Sequence, residues 1–259
     1  MLLAIDVGNT QTVIGLYGDG TASHELLDHW RIATNAERTS DEHALLFQEF
    51  LSFAGHDWQS DVRGVAISSG VPMVTYELRR MCERYLGIDP VVLGAGVKTG
   101  MPVLYDNPKE VGADRIANAV GAYDLYGGPT IVVDFGTATT FDVISSAGEY
   151  LGGAIIPGIE ISLDALFGRA AALRRVELVE PRSVIGKTTV ESIQSGVIYG
   201  YSAMIDGMCD RIEETIGVPT VIATGGLADL ISPVSESIEH TEPWLTLHGL
   251  RLIWEKNAT

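Results

Sequence analysis

Two short segments of the sequence combine an aspartate, a glycine and threonine in the same order. They are Asp6-Val7-Gly8-Asn9-Thr10 and Asp134-Phe135-Gly136-Thr137, and each follows an apolar run of strand length. A glycine at such a point lets the backbone turn sharply and approach a ligand, while neighbouring N–H groups point toward an anion. An aspartate ending the strand is well placed to hold Mg²⁺ directly or through water, and Thr10 and Thr12 add hydroxyl donors. Taken alone, either segment is equally typical of an ordinary hairpin turn.

The two segments belong to a longer internal match. At a constant offset of 128 residues, the aligned pairs are Asp6 with Asp134, Gly8 with Gly136 and Thr12 with Thr140. One unit that was copied and fused is the simplest explanation, and we place the division near residues 116–128, which predicts lobes of 1–116 and 117–259. Two such turns facing one another across a cleft would hold a nucleoside triphosphate at both ends of its phosphate chain.

Alternating apolar patterns predict the helices and strands that would position these turns. A hairpin is predicted around each turn, from Leu2 to Tyr17 and from Thr130 to Ile144. Thr39-Ser40-Asp41-Glu42 is a capping-box pattern that opens one helix, and Pro72 opens another that Gly87 ends. Further helices are predicted at about 112–126, 160–173, 189–216 and 243–255, and strands at Val62–Ser68, Pro90–Leu93 and Val218–Ala223. This alternation predicts an α/β fold of two lobes.

Two other glycine-containing segments have more than one interpretation. Thr224-Gly225-Gly226 follows a predicted strand, so it is either a plain strand-to-helix turn or a support beneath an adenine and ribose. Gly186-Lys187-Thr188-Thr189 invites a Walker A assignment, but that motif needs a glycine at position 181, which is a proline. The sequence instead predicts that Thr188 and Glu191 form a capping box for the long helix that follows, with a threonine left free to contact a ligand.

Asp114 is the candidate for acid–base chemistry. Gly112-Ala113-Asp114-Arg115 begins an apolar-periodic helix, where the helix dipole favours an aspartate whatever its role. A general base and a structural aspartate–arginine pair are equally compatible with this position. The stretch from Gly94 to Pro108 has no clear period, and a loop of this length is equally compatible with a functional segment and with a plain surface connection.

Composition excludes several classes of function. The formal net charge of −17 disfavours non-specific binding to nucleic acid or to anionic lipid, although a cleft lined by N–H groups still accepts an anionic substrate. The six histidines form no close pair of the kind that zinc sites show, and no Gly-x-Ser-x-Gly elbow is present.

Four arginines, at 169, 174, 175 and 182, are interpreted as a solvated face. No long apolar segment or leader is evident, so we expect a cytoplasmic protein whose Cys82 and Cys209 are reduced core residues.

Taken in order, these motifs resemble the type III pantothenate kinases, members of the sugar kinase/Hsp70/actin superfamily. The resemblance runs over nearly the whole chain. Besides the segments quoted above, it includes Trp30-Arg31, Arg38 to Glu42, Tyr105-Asp106-Asn107-Pro108, Gly152 to Gly158 and Ser195-Gly196. It implies two ribonuclease-H-like lobes with mixed sheets, related by internal duplication, and an enzyme that phosphorylates pantothenate to 4'-phosphopantothenate, the first step of coenzyme A biosynthesis.

The resemblance also implies roles for individual residues. It implies a catalytic base at Asp114 and a monovalent cation, K⁺ or NH₄⁺, at Asp134. ATP, with Mg²⁺ near Asp6, would be bound by Asp6, Val7, Gly8, Asn9, Thr10, Gln11, Thr12, Val13 and Thr137. Pantothenate would be bound by Tyr105, Gly112, Ala113, Asp114, Arg115 and Thr189. The active unit in this family is a homodimer whose interface helps to form the substrate pocket.

Two positions depart from the family pattern, and other functions stay open. Thr188 stands where asparagine is usual, which affects the substrate pocket, and Gly70 stands where a valine is more typical, which concerns backbone packing. Another actin-like phosphotransferase, a phosphatase acting on polyphosphate, and a non-catalytic nucleotide-binding regulator are the alternatives.

Overall fold

The computed structural model describes residues 1–19, 24–170 and 173–258. The chain divides into two compact units. The first comprises Met1–Pro102, Asp106–Gly121 and Leu245–Thr259, and the second comprises Val103–Tyr105 and Ala122–Trp244. The lobes of 1–116 and 117–259 stay a prediction.

A five-stranded mixed sheet forms the centre of the first unit. Its strands are β1 (Leu2–Val7), β2 (Gln11–Tyr17), β3 (Leu26–Ala33), β4 (Gly64–Ser69) and β5 (Val91–Val92). They lie in the order β3-β2-β1-β4-β5, with β1 antiparallel to β2 and parallel to β4. Alternate side chains of β1 and β4 enter a core that also receives Phe47 and Leu51 from the first helix.

The helices of the first unit begin where local signals place them. They are α1 (Ser40–Phe53), α2 (Trp58–Asp61), α3 (Pro72–Met81) and α4 (Ala113–Tyr126), the last divided between the units after Gly121, together with the C-terminal helix at Leu245–Asn257. The predicted capping box is confirmed: the Thr39 hydroxyl accepts from the N–H of Glu42, and the Glu42 carboxylate accepts from the N–H of Thr39. After α3 the chain widens into a π-turn, Cys82–Leu86, and Gly87 ends it at φ 66°.

The second unit repeats this sheet. Its strands are β6 (Thr130–Phe135), β7 (Ala138–Ile144), β8 (Tyr150–Pro157), β9 (Thr220–Thr224) and β10 (His240–Thr241), in the order β10-β9-β6-β7-β8. Its helices are α5 (Ile159–Arg169), α6 (Thr189–Ile216) and α7 (Ala228–Ile231), and α8 is the C-terminal helix of the first unit. Read from the edge, β8-β7-β6-β9-β10 has the same strand directions as the first sheet.

The register of the two hairpins corrects the internal alignment by one residue. Asp6 pairs with Val13, whereas Asp134 pairs with Thr140, so the second turn is one residue shorter. The offset of 128 therefore holds through the first strand and becomes 127 in the second. The structural counterpart of Thr12 is Thr139, not Thr140, and both of these side chains are buried.

Most predicted elements are present with small shifts at their ends. The helix predicted at 160–173 ends at Arg169, and residues 171–172 of that prediction lie outside the described part of the chain. The strand predicted from Val62 begins at Gly64 because the residues before it form α2, whose first turn is capped by Asp57. Strands β3 and β8 were not predicted. Among the described residues, no helix combines the length and the apolar character that a membrane span requires.

Both cysteines are unpaired, as predicted. Cys82 belongs to the core of the first unit and Cys209 to that of the second. Burial raises the pKa of each thiol to about 12, so both are held in the protonated form.

Helices α4 and α8 occupy the same place in their respective repeats, and they cross at small residues. A Cβ built on Gly249 would overlap the carbonyl of Ala117, and one on Gly121 would lie 2.9 Å from the carbonyl of Leu245. Beside this crossing the Thr246 hydroxyl donates to the buried amide oxygen of Asn118 at 2.7 Å. The two backbones touch because neither glycine carries a side chain.

His43 is a buried histidine on α1. It is 1% exposed, its ring lies edge-on to Phe47 at 6.0 Å, and neither ring nitrogen has a hydrogen-bond partner among the described residues. Burial lowers its pKa to about 4; Arg38 adds to that shift, while Glu77 and Glu42 oppose it. The imidazole is therefore neutral in the folded protein near pH 7.

Replacing Gly249 by alanine is expected to destabilise the protein by about 3 kcal/mol, because the new methyl group forces α8 away from α4. Gly207→Ala is the matched control, since Gly207 lies within α6 with open space where a Cβ would stand. That variant should gain about 0.5–1 kcal/mol from the better helix propensity of alanine. Thermal unfolding of both variants measures the difference, and equal melting temperatures would contradict the crossing.

Because His43 is buried in its neutral form, we expect the protein to lose stability in mild acid. Because its folded pKa of about 4 lies below the ordinary value of 6.5, only the unfolded chain takes up this proton between those pH values. This proton uptake has almost no effect on the free energy of unfolding at pH 7 and lowers it by about 2 kcal/mol at pH 5. In His43→Leu the melting temperature should fall less between pH 7 and pH 5 than in the wild type. An identical fall in both proteins would remove His43 as a cause.

Candidate active site

The first predicted turn joins β1 to β2 and is closed by one backbone hydrogen bond. The N–H of Gly8 donates to the carbonyl of Gln11 at 3.0 Å, and a Cβ on Gly8 would lie 3.0 Å from that oxygen. Asn9 and Thr10 form the exposed tip. The predicted hairpin is therefore confirmed, with the glycine at the point of closest backbone approach.

Neighbouring segments hold the carbonyl groups of this turn. The N–H of Thr34 donates to the carbonyl of Thr10 at 2.9 Å, and the Thr34 hydroxyl donates to the carbonyl of Gly8 at 2.7 Å. The N–H of Gly70 donates to the carbonyl of Val7 at 3.2 Å. Gly70, noted above as a departure from the family pattern, thus supports the turn through its backbone. Thr34 was not among the predicted site residues.

Asp6 lies at the end of β1 with oxygen-bearing neighbours. It is half-buried, and it stands beside Ser68 in the parallel pair with β4. The Ser68 hydroxyl is buried and has no hydrogen-bond partner among the described residues. A carboxylate beside a hydroxyl suits a hard cation such as Mg²⁺, which binds proteins through one or two carboxylates and keeps several waters.

The second predicted turn has the same closing bond with a shorter tip. The N–H of Gly136 donates to the carbonyl of Ala138 at 3.1 Å, which leaves only Thr137 between them, and Thr137 is exposed. The N–H of Gly158, at the end of β8, donates to the carbonyl of Thr137 at 3.2 Å. A Cβ on Gly158 would overlap the carbonyls of Gly136 and Thr137. Only glycine allows this close approach.

The third glycine turn lies against the second within the same unit. Gly225 has φ +92°, and a Cβ there would lie 2.5 Å from Oδ1 of Asp134. Asp134 itself stands beside Thr140 on β7 and Thr224 on β9. The fold thus brings together Asp134 and two segments, Gly136-Thr137 and Thr224-Gly225, that the sequence singled out separately.

The residues beside Asp134 on the neighbouring strands, Thr140 and Thr224, offer hydroxyl oxygens. Among the described residues, no cluster of three or more histidine, cysteine, aspartate or glutamate side chains could hold a metal ion. One carboxylate with hydroxyl neighbours fits a weakly charged cation such as K⁺ better than a site built to hold Zn²⁺ or Ca²⁺ by protein groups alone.

Asp114 is exposed in the first turn of α4, and its carboxylate is oriented by its neighbours. Oδ1 accepts a hydrogen bond from the backbone N–H of Arg115 at 2.9 Å. In this orientation Oδ1 lies over Gly112, 2.4 Å from where a Cβ on that glycine would stand. Arg115 is 8% exposed, so its side chain is buried. The bond made by Arg115 to Asp114 comes from its backbone.

Tyr105 and Thr189 lie in the second unit. The segment of Tyr105 runs along β8, where the N–H of Leu104 donates to the carbonyl of Tyr150 at 2.8 Å, and the Tyr105 ring lies 3.5 Å from a Cβ built on Gly152. Thr189 is the exposed first residue of α6. Their proposed contact with a substrate stays a prediction.

Only half of the predicted capping box at Thr188 is present. The Thr188 hydroxyl accepts from the N–H of Glu191 at 3.1 Å, so this threonine has a structural bond. The Glu191 carboxylate accepts from the N–H of Lys187 at 3.0 Å and from Nε of Arg182 at 2.8 Å, rather than from Thr188. These bonds lower the pKa of Glu191, with Arg182 the largest cause. Arg182 and Arg175 are exposed, as predicted, and each pairs with a carboxylate.

Comparison with known proteins identifies the family. The family model described as type III pantothenate kinase matches residues 2–211. The chain belongs to the type III pantothenate kinase family. The type III pantothenate kinase of Streptomyces griseus is 54% identical over 267 residues, covering 100% of this chain and 99% of that protein. That of Moorella thermoacetica is 53% identical over 259 residues, covering 100% of both. The expected phosphotransferase is thereby confirmed.

Solved structures confirm the fold at much lower identity. A putative 2-dehydro-3-deoxygalactonokinase from Sinorhizobium meliloti is 12% identical with a TM-score of 0.62, covering 100% of this chain and 99% of that one. A putative Baf family transcriptional activator from Campylobacter jejuni is 19% identical with a TM-score of 0.59, covering 98% of each chain. The predicted α/β architecture of two actin-like lobes with mixed sheets is therefore borne out.

Sequence reasoning missed the residues that hold the two turns. Thr34 and Gly158 each follow the third strand of their repeat, since Ala33 pairs with Gln11 and Pro157 with Ala138. Recognising β3 and β8 would have shown that these residues abut the turns.

Proposed function

We propose that this protein transfers the γ-phosphoryl group of ATP to the primary hydroxyl of pantothenate, giving 4'-phosphopantothenate for coenzyme A biosynthesis. The observation that carries the proposal is an exposed Asp114 whose carboxylate accepts a hydrogen bond from the backbone N–H of Arg115, in a chain that matches this kinase family along its whole length. In this proposal, two glycine turns with the same closing bond present their remaining backbone N–H groups to the phosphates.

Asp114 is assigned as the general base. The bond from Arg115 engages Oδ1, so Oδ2 is the oxygen that we assign to accept the hydroxyl proton. As the proton leaves, the substrate oxygen bonds to the γ-phosphorus and the bond between that phosphorus and the bridging oxygen of ADP breaks. Most of the rate enhancement is expected from positioning and charge stabilisation, with proton removal a smaller share.

The phosphate chain is assigned to the two turns. Residues 6–13 and Thr137 are its proposed contacts, with Mg²⁺ proposed near Asp6 and Ser68 and a monovalent cation, K⁺ or NH₄⁺, at Asp134. Such cations neutralise charge that develops on the transferring phosphoryl group. The oxygen-rich surroundings of Asp6 and Asp134 support these assignments.

Pantothenate is assigned to Tyr105, Thr189 and the segment from Gly112 to Arg115. The buried position of Arg115 supports a role for its backbone and charge rather than for a mobile side chain. Thr188, which caps α6, would position Thr189.

A homodimer located in the cytoplasm is the proposed form of the enzyme. Apolar side chains on the second unit support a second copy as the partner, since Val184, Ile185 and Ile155 are 63%, 75% and 63% exposed. Sedimentation velocity at micromolar concentration tests this assembly. The strongly negative charge supports the absence of nucleic-acid partners.

A coupled assay of ADP release tests the function. With ATP and Mg²⁺, release should require pantothenate and should be faster in potassium or ammonium buffer than in sodium buffer. Release without pantothenate would indicate hydrolysis of ATP by a phosphatase. ATP binding without release, with or without pantothenate, would indicate a regulator or a phosphotransferase that uses another acceptor. Equal rates in potassium and sodium buffer would contradict the proposed K⁺ or NH₄⁺ site at Asp134.

Asp114→Asn should lower kcat by about 10²–10⁴-fold, because the amide cannot accept the proton. The fold should persist, since the side chain is exposed and the asparagine oxygen can still accept from Arg115. Asp89→Asn is the matched control: it changes an exposed carboxylate in the same unit, outside the motifs quoted above, and should leave kcat within about twofold. Full activity of the Asp114 variant would exclude it as the base.

A further inference from the structure

We propose that Thr34 and Thr12 are positioning residues for the nucleotide site, linked by a hydroxyl relay that holds the β1–β2 turn, and that Thr12 is not itself a ligand of phosphate. The inference rests on the proposed function and deepens it. It assigns a role to Thr34, which no sequence motif indicated, and it changes the role first expected for Thr12.

The direction of the hydrogen bond between Thr12 and Thr34 follows from the single proton that each hydroxyl carries. The Thr34 hydroxyl donates to the carbonyl of Gly8 at 2.7 Å, and it lies 2.9 Å from the Thr12 hydroxyl. A hydroxyl has one proton, so Thr34 cannot also donate to Thr12. Thr12 is therefore the donor in their shared bond. Because Thr12 is 1% exposed, its only proton is committed inside the protein and is withheld from a ligand.

The relay controls which groups of the turn can face an anion. The Thr34 hydroxyl, which belongs to the relay, holds the carbonyl of Gly8. Backbone N–H groups of Thr34 and Gly70 hold the carbonyls of Thr10 and Val7. A carbonyl oxygen carries partial negative charge and would repel a phosphate if it rotated toward the ligand. Holding these carbonyls in internal bonds keeps the turn in one conformation before ATP arrives.

The second repeat shows what happens without the side chain. The residue equivalent to Thr34 is Gly158, which keeps the backbone bond to the turn but has no hydroxyl. The residue equivalent to Thr12 is Thr139, and its buried hydroxyl has no partner among the described residues. The relay is thus a property of the first turn alone. A threonine at 158 is excluded because its Cβ would overlap two carbonyls.

Thr34→Val keeps the shape of the side chain and removes both hydroxyl bonds, so the affinity for ATP should fall. Calorimetric titration with MgATP is expected to show a Kd about tenfold higher. The KM for pantothenate should stay within about twofold, since the turn is not assigned to that substrate. Thr34→Ser retains the hydroxyl and should restore ATP binding to within about twofold of the wild type.

The pair of variants at Thr12 separates a relay from a direct ligand. Thr12→Val should weaken ATP binding no more than Thr34→Val does, and the double variant should resemble Thr34→Val, because one relay is lost in each case. Additive losses, or a loss at Thr12 with none at Thr34, would make Thr12 a ligand and overturn the inference. Wild-type ATP binding by a folded Thr34→Val protein would overturn it as well.

Stability provides a readout that is independent of turnover. Thr12→Val should lower the melting temperature by about 3 °C, because it removes a satisfied buried bond. Thr139→Val is the matched variant and should lower it by less than about 1 °C, because that hydroxyl has no bond to lose. Equal destabilisation by the two would overturn the relay.

The outcome for the wild type separates this inference from the proposed function. Binding of MgATP without phosphorylation of pantothenate would overturn the function alone, since the ratio of variant to wild-type affinities still decides the relay. Failure of the wild type to bind MgATP at all would overturn both proposals.

Discussion

Closure of the turn between the first two strands of each repeat is the constraint on which the candidate nucleotide site depends. One backbone bond closes each turn, from Gly8 to Gln11 and from Gly136 to Ala138. The aspartate two positions before each glycine is the last but one residue of its strand, so it lies next to the turn. A carboxylate and a bend of backbone are thereby fixed relative to one another twice in the chain, before any ligand is present.

The two copies have diverged in how they support this common turn. In the first, Thr34 adds hydroxyl bonds beneath a tip of two residues, whereas in the second Gly158 permits a backbone contact beneath a tip of one residue. The side-chain support of the first turn can be altered by a single substitution at Thr34. At position 158 any side chain would overlap the second turn. The two turns are therefore not interchangeable, although they have the same closing bond and strand order.

The second sheet also holds a buried carboxylate where the first has a glycine. Asp142 is fully buried and accepts from the Tyr150 hydroxyl at 2.8 Å and from the Thr140 hydroxyl at 3.3 Å. Its counterpart, Gly15, leaves room for Leu247, because a Cβ there would lie 2.7 Å from that side chain. A buried carboxylate without such bonds would cost several kcal/mol, so these hydroxyls are a condition of its presence. Thr140 in turn stands beside Asp134 in the candidate cation site.

The sequence by itself determined the α/β alternation, the duplication, the two glycine turns and the helix beginnings, because these depend on local periodicity and on capping residues such as Thr39. Only the tertiary structure decided the register after the turns, which makes Thr139 the equivalent of Thr12. A one-residue difference in the length of the turn leaves no local signal in the sequence. It alone revealed Thr34, Gly158 and the α4–α8 crossing at Gly249. Those roles arise from contacts between segments distant in the chain, where spacing carries no information about which atoms meet.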